Sequence, residues 1–148
     1  MNISEKIIES CSTNFPMFGY EIEFLSESCE VNLNSTAEVN VLIGLSNGIK
    51  GNIVISFNQK TACNIISAMM GGTVVEEVDD MGKSALGEMA NMIIGNAVAG
   101  LSEDSVIDLS PPTIATGKNM YIMISNIKAS KIEFQLEDSL FFVSYALQ

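Results

Sequence analysis

The sequence predicts an α+β fold, with helices packed on a largely antiparallel β-sheet. Three observations predict it. The apolar pattern changes period along the chain, giving the order helix, strands, helix, helix, strands. The strand-like runs are separated by short turns, which join antiparallel neighbours but cannot connect parallel ones. The longest helical run carries one apolar face, as an element lying on a core must. A length of 148 residues suggests a single domain, 1–148, with a sizeable core.

Residues 4–15 read as a first helix. Ser4 can cap it, Ile7, Ile8 and Cys11 supply an apolar side, and Pro16 ends it. Residues 20–25 alternate polar with apolar and suit a short strand, followed by a polar stretch over 26–35. Residues 37–45 and 49–57 are strand-like, with Val39, Val41 and Ile43 in one and Ile53, Ile55 and Phe57 in the other. Between them lies Ser46-Asn47-Gly48, and Asn-Gly is a strong hairpin signal. Asn58 caps a second helix over 59–70, whose Ala62, Ile65, Ile66 and Met69 point inward. Gly71-Gly72 stops it with residues that tolerate positive φ.

A long helix is expected over 79–103. Asp79 and Asp80 offer an N-cap and negative charge at the positive end of the helix dipole. At about 100° per residue, Leu86, Met89, Ala90, Ile93, Ala97 and Leu101 share one face. An irregular stretch follows, ending in Pro111-Pro112. Strands are expected over 113–117, 120–127, 132–136 and 141–146, with turns over 125–131 and 137–139.

Composition narrows the function. Apolar residues make up 47% of the chain, which is therefore globular. Eighteen acids against seven basic residues leave a net charge of −11, which disfavours nucleic acid and anionic membrane surfaces as partners. No apolar run approaches the roughly 20 residues that span a bilayer, and no signal-peptide pattern opens the chain. Cys11, Cys29 and Cys63 lack metal or disulfide spacing and are expected as three buried free thiols in a reducing cytoplasm. With no histidine, Ser-His and Cys-His catalysis are excluded, and so is the commonest metal ligand. Neither a G-x-x-x-x-G-K-[ST] nor a G-x-G-x-x-G loop occurs. Chemistry here falls to carboxylates, amides and hydroxyls.

Opposite the apolar face of the long helix runs a narrow stripe, Ser84-x-x-x-Glu88-x-x-Asn91 followed by Gly95. A polar stripe in that position is what solvent alone selects. This one holds an acid, an amide and small residues, with no basic i,i+4 partner for the acid.

Several stretches taken together resemble the CheC/CheX/FliY family of bacterial chemotaxis phosphatases, and its CheX-like branch most. They are the strand 51–57, the helix ending in Ser67-Ala-Met-Met-Gly-Gly72, Asp79-Asp80, the Ser84-x-x-x-Glu88-x-x-Asn91 stripe with Gly95-Asn96, Pro112-Thr113 and Thr116-Gly117. The resemblance runs from about Val39 to the last residue. E-x-x-N alone is a weak motif, and its context makes it specific.

The resemblance implies a phosphatase acting on the aspartyl phosphate of a CheY-type receiver. Glu88 would dock against the receiver's active-site lysine. Asn91 would insert beside the acyl phosphate and orient the attacking water. Ser84, Gly95 and Pro112 fall at partner-facing positions, although Pro112 suits a turn better than a substrate contact. No cofactor would be held by this chain, the Mg²⁺ belonging to the receiver's own acids. Such a division is physically reasonable, because phosphoryl transfer gains mainly from positioning and charge stabilisation. A neutral amide can bond water without repelling phosphate.

The chain departs from parts of the family pattern. Its first helix carries no E-x-x-N, so a second site of the CheC-like kind has no support, and no FliY-like additional domain fits the length. The resemblance also implies a homodimer with a continuous intersubunit sheet. A receiver-binding or adaptor module of the same fold without catalysis, and a structural oligomer component, are the competing expectations.

Overall fold

The computed structural model describes residues 2–99, 101, 106–125 and 127–148. Helix α1, Ile3–Asn14, opens the fold and passes into a 3₁₀ turn over Phe15–Phe18. Strands β1 (Ile22–Glu30), β2 (Asn34–Ser35), β3 (Val39–Ser46) and β4 (Gly51–Phe57) follow. Helices α2 (Gln59–Met69) and α3 (Asp80–Val98) come next. The remaining strands are β5 (Asp108–Leu109), β6 (Thr113–Thr116), β7 (Ile122–Met123), β8 (Ala129–Leu136) and β9 (Ser139–Leu147).

The main sheet runs β1-β8-β9-β4-β3-β5, with β6 also beside β3, and β2 pairs with β7 separately. All pairings are antiparallel, as the short turns require. β5 and β6 share one edge of β3, and Pro111-Pro112 between them has no N–H to donate to a ladder. Ser110 bridges the break: its N–H donates to the Gly44 carbonyl at 2.9 Å and its Oγ accepts from the Gly44 N–H at 2.8 Å.

The helices cover one face of this sheet. Val41, Ile43, Ile53, Ile55, Phe57, Ile132, Phe134, Phe141 and Val143 are completely buried against Ile7 and Cys11 of α1, Ile65 and Ile66 of α2, and Leu86, Met89 and Ala90 of α3. Phe134 stacks on Phe141 with ring centroids 4.9 Å apart, and Phe15 closes on Phe141 from the other side at 4.9 Å.

The expected helices form, with different ends. The cap of α1 is Asn2, whose side chain accepts from the Glu5 N–H at 2.9 Å, and not Ser4. Ser4 is buried instead, donating to Glu27 at 2.7 Å and paired with the Tyr145 hydroxyl. Pro16 does not end the helical path but sits inside the 3₁₀ turn, where its missing N–H costs nothing. Asn58 caps α2 through the Thr61 N–H, and Gly71 and Gly72 take φ of 76° and 91° beyond its end. α3 stops at Val98, with Ala99 extended at ψ 126°, so Leu101 lies outside the helix while still packing on the core. Glu103, the expected end, lies outside the described residues.

The strands differ more. β1 continues through Glu30, taking in half of the stretch read as polar linker, because an exposed edge strand needs only backbone pairing with β8. Leu25 is an extra residue there, bulging between the Phe24 and Ser26 pairs. β8 begins at Ala129, inside the expected turn, of which Asn126 lies outside the described residues. Among the described residues of the run over 120–127, Ile122–Met123 form the strand, and the Ile124 N–H donates to the Leu33 carbonyl at 2.9 Å beyond it. Asn47 and Gly48 turn with φ of 66° and 95°, in a longer loop closed by the Leu45–Gly51 pair.

Candidate active site

α3 is set in place by its cap and by two close approaches. Asp79 caps it, its Oδ1 accepting from the Gly82 N–H at 2.8 Å. Gly82 and Gly87 are both buried. A Cβ on Gly82 would stand 2.9 Å from Cδ1 of Ile66 in α2. A Cβ on Gly87 would stand 3.0 Å from Cγ of Pro112. α3 thus lies close against α2 and the link from β5 to β6, at two points where an added Cβ would force a neighbour to shift.

The buried face follows from periodicity: Leu86, Met89, Ala90, Ile93 and Ala97, widened by Ile94 and Val98. Opposite it, Ser84, Glu88 and Asn91 are exposed and Gly95 is half-buried. Glu88 and Asn91 stand three residues apart, so their Cβ atoms are about 5–6 Å apart. Pro112 is half-buried, but its ring rests on α3 at Gly87, the residue preceding Glu88. The fold therefore brings Ser84, Glu88, Asn91 and Pro112 to one region, with Pro112 against the flank of the helix at Gly87. Gly95 follows along the stripe, where a Cβ would meet only Leu109 Cδ1 at an ordinary 3.8 Å. The fold does not need glycine there.

Gly87 is the position that sequence reasoning missed. Its signal was a glycine within a strong helical run, a place where Ala is normally preferred. The polar seam between α1 and α3 was also missed. Ser10 Oγ donates to the Ile93 carbonyl at 2.6 Å. Asn14 Nδ2 donates to the Ser10 carbonyl at 2.8 Å, and Asn96 Nδ2 donates to Asn14 Oδ1 at 3.4 Å. This seam fixes α3 against α1 on the flank away from Pro112.

Other groups fit chemistry poorly. Cys11 is fully buried, and burial pushes its thiol up to about 12, so it is inert as a nucleophile. Burial first, then Asp79 and Glu77, raise the Cys63 thiol, whereas Cys29, expected to be buried, is exposed on the edge strand β1. Among the described residues no three acidic or cysteine side chains gather as metal ligands. Nor, among them, is any helix long and apolar enough to cross a membrane. A groove of about 670 Å³ lies by Ser35, Lys131, Phe142 and Ser144 and shares no residue with the α3 stripe.

The family model described as chemotaxis phosphatase CheX matches residues 39–135, which include all of α3 and Pro112. The chain is 37% identical over 82 residues to the CheY-P phosphatase CheX of Thermotoga maritima. That match spans 55% of this chain and about half, 53%, of the relative's length. Among solved structures, a chemotaxis protein CheX from Desulfovibrio desulfuricans has the same fold, with a TM-score of 0.85 over the whole of both chains at 23% identity. A chain of the CheX-CheY-BeF3-Mg²⁺ complex from Borrelia burgdorferi matches with a TM-score of 0.81 at 26% identity, covering 99% of this chain and 98% of that one. With Glu88 and Asn91 side by side on the matched helix, the chain belongs to the CheX family of chemotaxis phosphatases.

Proposed function

We propose that the protein dephosphorylates the aspartyl phosphate of a CheY-type receiver, using Glu88 to dock and Asn91 to position water. The single observation that carries this is the exposed Glu88–Asn91 pair on a helix held closely at its flank by Pro112 against Gly87. Family membership supports it, as does the receiver in the similar Borrelia complex.

The chemistry follows from what a phosphorylated receiver lacks. Its lysine and acids already surround the acyl phosphate, and Mg²⁺ held by those acids supplies charge stabilisation. Glu88 pairs with the lysine and sets the register of docking. The Asn91 amide then reaches the phosphoryl group, accepting from a water through Oδ1 and holding its oxygen in line with phosphorus. Water oxygen bonds to phosphorus, the bond to the aspartyl oxygen breaks, and free carboxylate and inorganic phosphate result. Holding the water in line removes an entropic part of the barrier, which is how a side chain without acid–base chemistry accelerates the step.

The dimer belongs to the same proposal. Among the described residues, β1 is a nine-residue edge strand paired with β8 alone and exposed from Glu23 onward. Its free edge can take a strand from a second copy. We place the protein in the cytoplasm, with the receivers it serves.

The test is decay of a phosphorylated chemotaxis receiver in Mg²⁺, alone and with catalytic amounts of wild type or Asn91→Ala. Acceleration by wild type and its loss in a variant that still binds is the expected result. Binding without acceleration by either protein would leave a docking module in place of an enzyme. Light scattering at working concentration reads the dimer, and a monomer would remove that part.

A further inference from the structure

Resting on the docking role of α3 just proposed, we infer that Met81 and Met92 are the apolar contacts by which the protein grips and selects its receiver. α3 buries apolar side chains along its whole inner face, yet these two methionines on the outer face remain 66% and 38% exposed. At about 100° per residue, eleven positions bring Met92 to within roughly 20° of Met81 around the axis. At roughly 1.5 Å per residue they stand about 16 Å apart along it. Glu88 falls between them, within about 40° of both, and Asn91 is the immediate neighbour of Met92. The outer ridge of α3 therefore reads methionine, glutamate, methionine, with Ser84, Asn91 and Gly95 along one side.

Single apolar side chains scattered over a surface need no explanation. Two in line with the docking acid are a different arrangement. An exposed ion pair such as Glu88 with a lysine adds little affinity in water. Contacts that exclude solvent around it raise its strength and keep bulk water from the phosphoryl group. Methionine suits such a contact because its unbranched thioether adapts to the surface it meets. The occupant is the receiver surface surrounding the phosphoaspartate, because the ridge is continuous with the residues that address that group. Glu88 and Asn91 can act on any phosphorylated receiver, whereas the fit of Met81 and Met92 depends on the surface around the phosphoaspartate. They are specificity contacts, and the reacting atoms are left to Asn91.

Steady-state hydrolysis of the phosphorylated receiver separates these roles. Met81→Ala and Met92→Ala should each raise KM about tenfold, roughly 1.4 kcal/mol, with kcat within twofold of wild type. Met92→Leu should recover most of the loss. In parallel, calorimetry with the beryllofluoride-loaded receiver should show Kd rising with KM. KM and Kd unchanged in the double variant would overturn the inference, as would a loss confined to kcat. A wild type that binds the loaded receiver through both methionines without hastening hydrolysis would retire the catalytic proposal and keep this one. A wild type that hastens hydrolysis indifferently to both would do the reverse, and one that neither binds nor hydrolyses would overturn both.

Discussion

Gly87→Ala tests whether Pro112 is a rigid support for the helix that carries Glu88. On an open helix the change stabilises by about 0.8–1.0 kcal/mol. Here the new Cβ would lie 3.0 Å from Pro112 Cγ, with Cβ of the same ring at 3.7 Å. Carbon atoms rest at about 3.5–4.0 Å, so helix and ring must part by roughly a few tenths of an ångström. The proline ring cannot swing aside as a longer side chain would, and Pro112 is tied through Ser110 to Gly44 of β3. Overpacking of this kind costs about 1–3 kcal/mol. Set against the propensity gain, the net loss is about 1 kcal/mol, or roughly 2–4 °C in Tm for a chain of this size. Activity should fall further than stability does, because a misplacement near 1 Å can cost about a hundredfold in a positioned reaction. A tenfold or greater drop in kcat is expected at a temperature where the variant is fully folded. Gly95→Ala is the control: its Cβ meets only Leu109 at 3.8 Å, so it should raise Tm. Thermal melts by circular dichroism and receiver dephosphorylation read the two effects. A Gly87→Ala protein that is both more stable and fully active would refute the support role of Pro112.

Two further outcomes follow from the core. Ser10→Ala removes the 2.6 Å bond to the Ile93 carbonyl and should cost about 1 kcal/mol in denaturant unfolding, with Ser10→Thr tested for rescue. Cys11 has a thiol raised from 9.0 to about 12 by burial, so above pH 9 the unfolded chain releases a proton that the folded chain retains. Stability should therefore fall as pH rises from about 9 toward 12, with a slope from this group of up to roughly 1.4 kcal/mol per unit. Melts of Cys11→Ala over pH 8–10.5 should show a shallower decline than wild type, and equal slopes would contradict the assignment.

Local rules carried the sequence far where a segment's partners are its own neighbours. Asn58 and Asp79 are caps because their side chains reach N–H groups three residues on, and such geometry is written in the sequence. Gly71 and Gly72 end α2 for the same kind of reason. Asn2 displaced Ser4 as the first cap because Ser4 has distant partners, Glu27 and Tyr145, that outweigh a local role. The length of β1 was hidden for a related reason. Its outer half, Ser26 to Glu30, buries almost nothing, so no alternation of apolar residues marks it, and pairing with β8 about a hundred residues later makes it a strand.

At the candidate site the same division holds. Periodicity alone puts Ser84, Glu88 and Asn91 opposite the apolar face, and the structure leaves all three exposed there. What periodicity cannot supply is the reason α3 tolerates a glycine at 87, since that reason is a proline ring on a segment twenty-five residues away. The contact explains a conflict between levels: helix propensity at this position gives way to tertiary packing. Gly82 makes the same concession to Ile66, although there the obstacle is the end of a flexible side chain. A helix packed this closely at Gly87 has little room to move toward Pro112. That matters for a surface whose proposed chemistry is entirely positional, because an amide that only aligns a water is as effective as the element holding it is fixed.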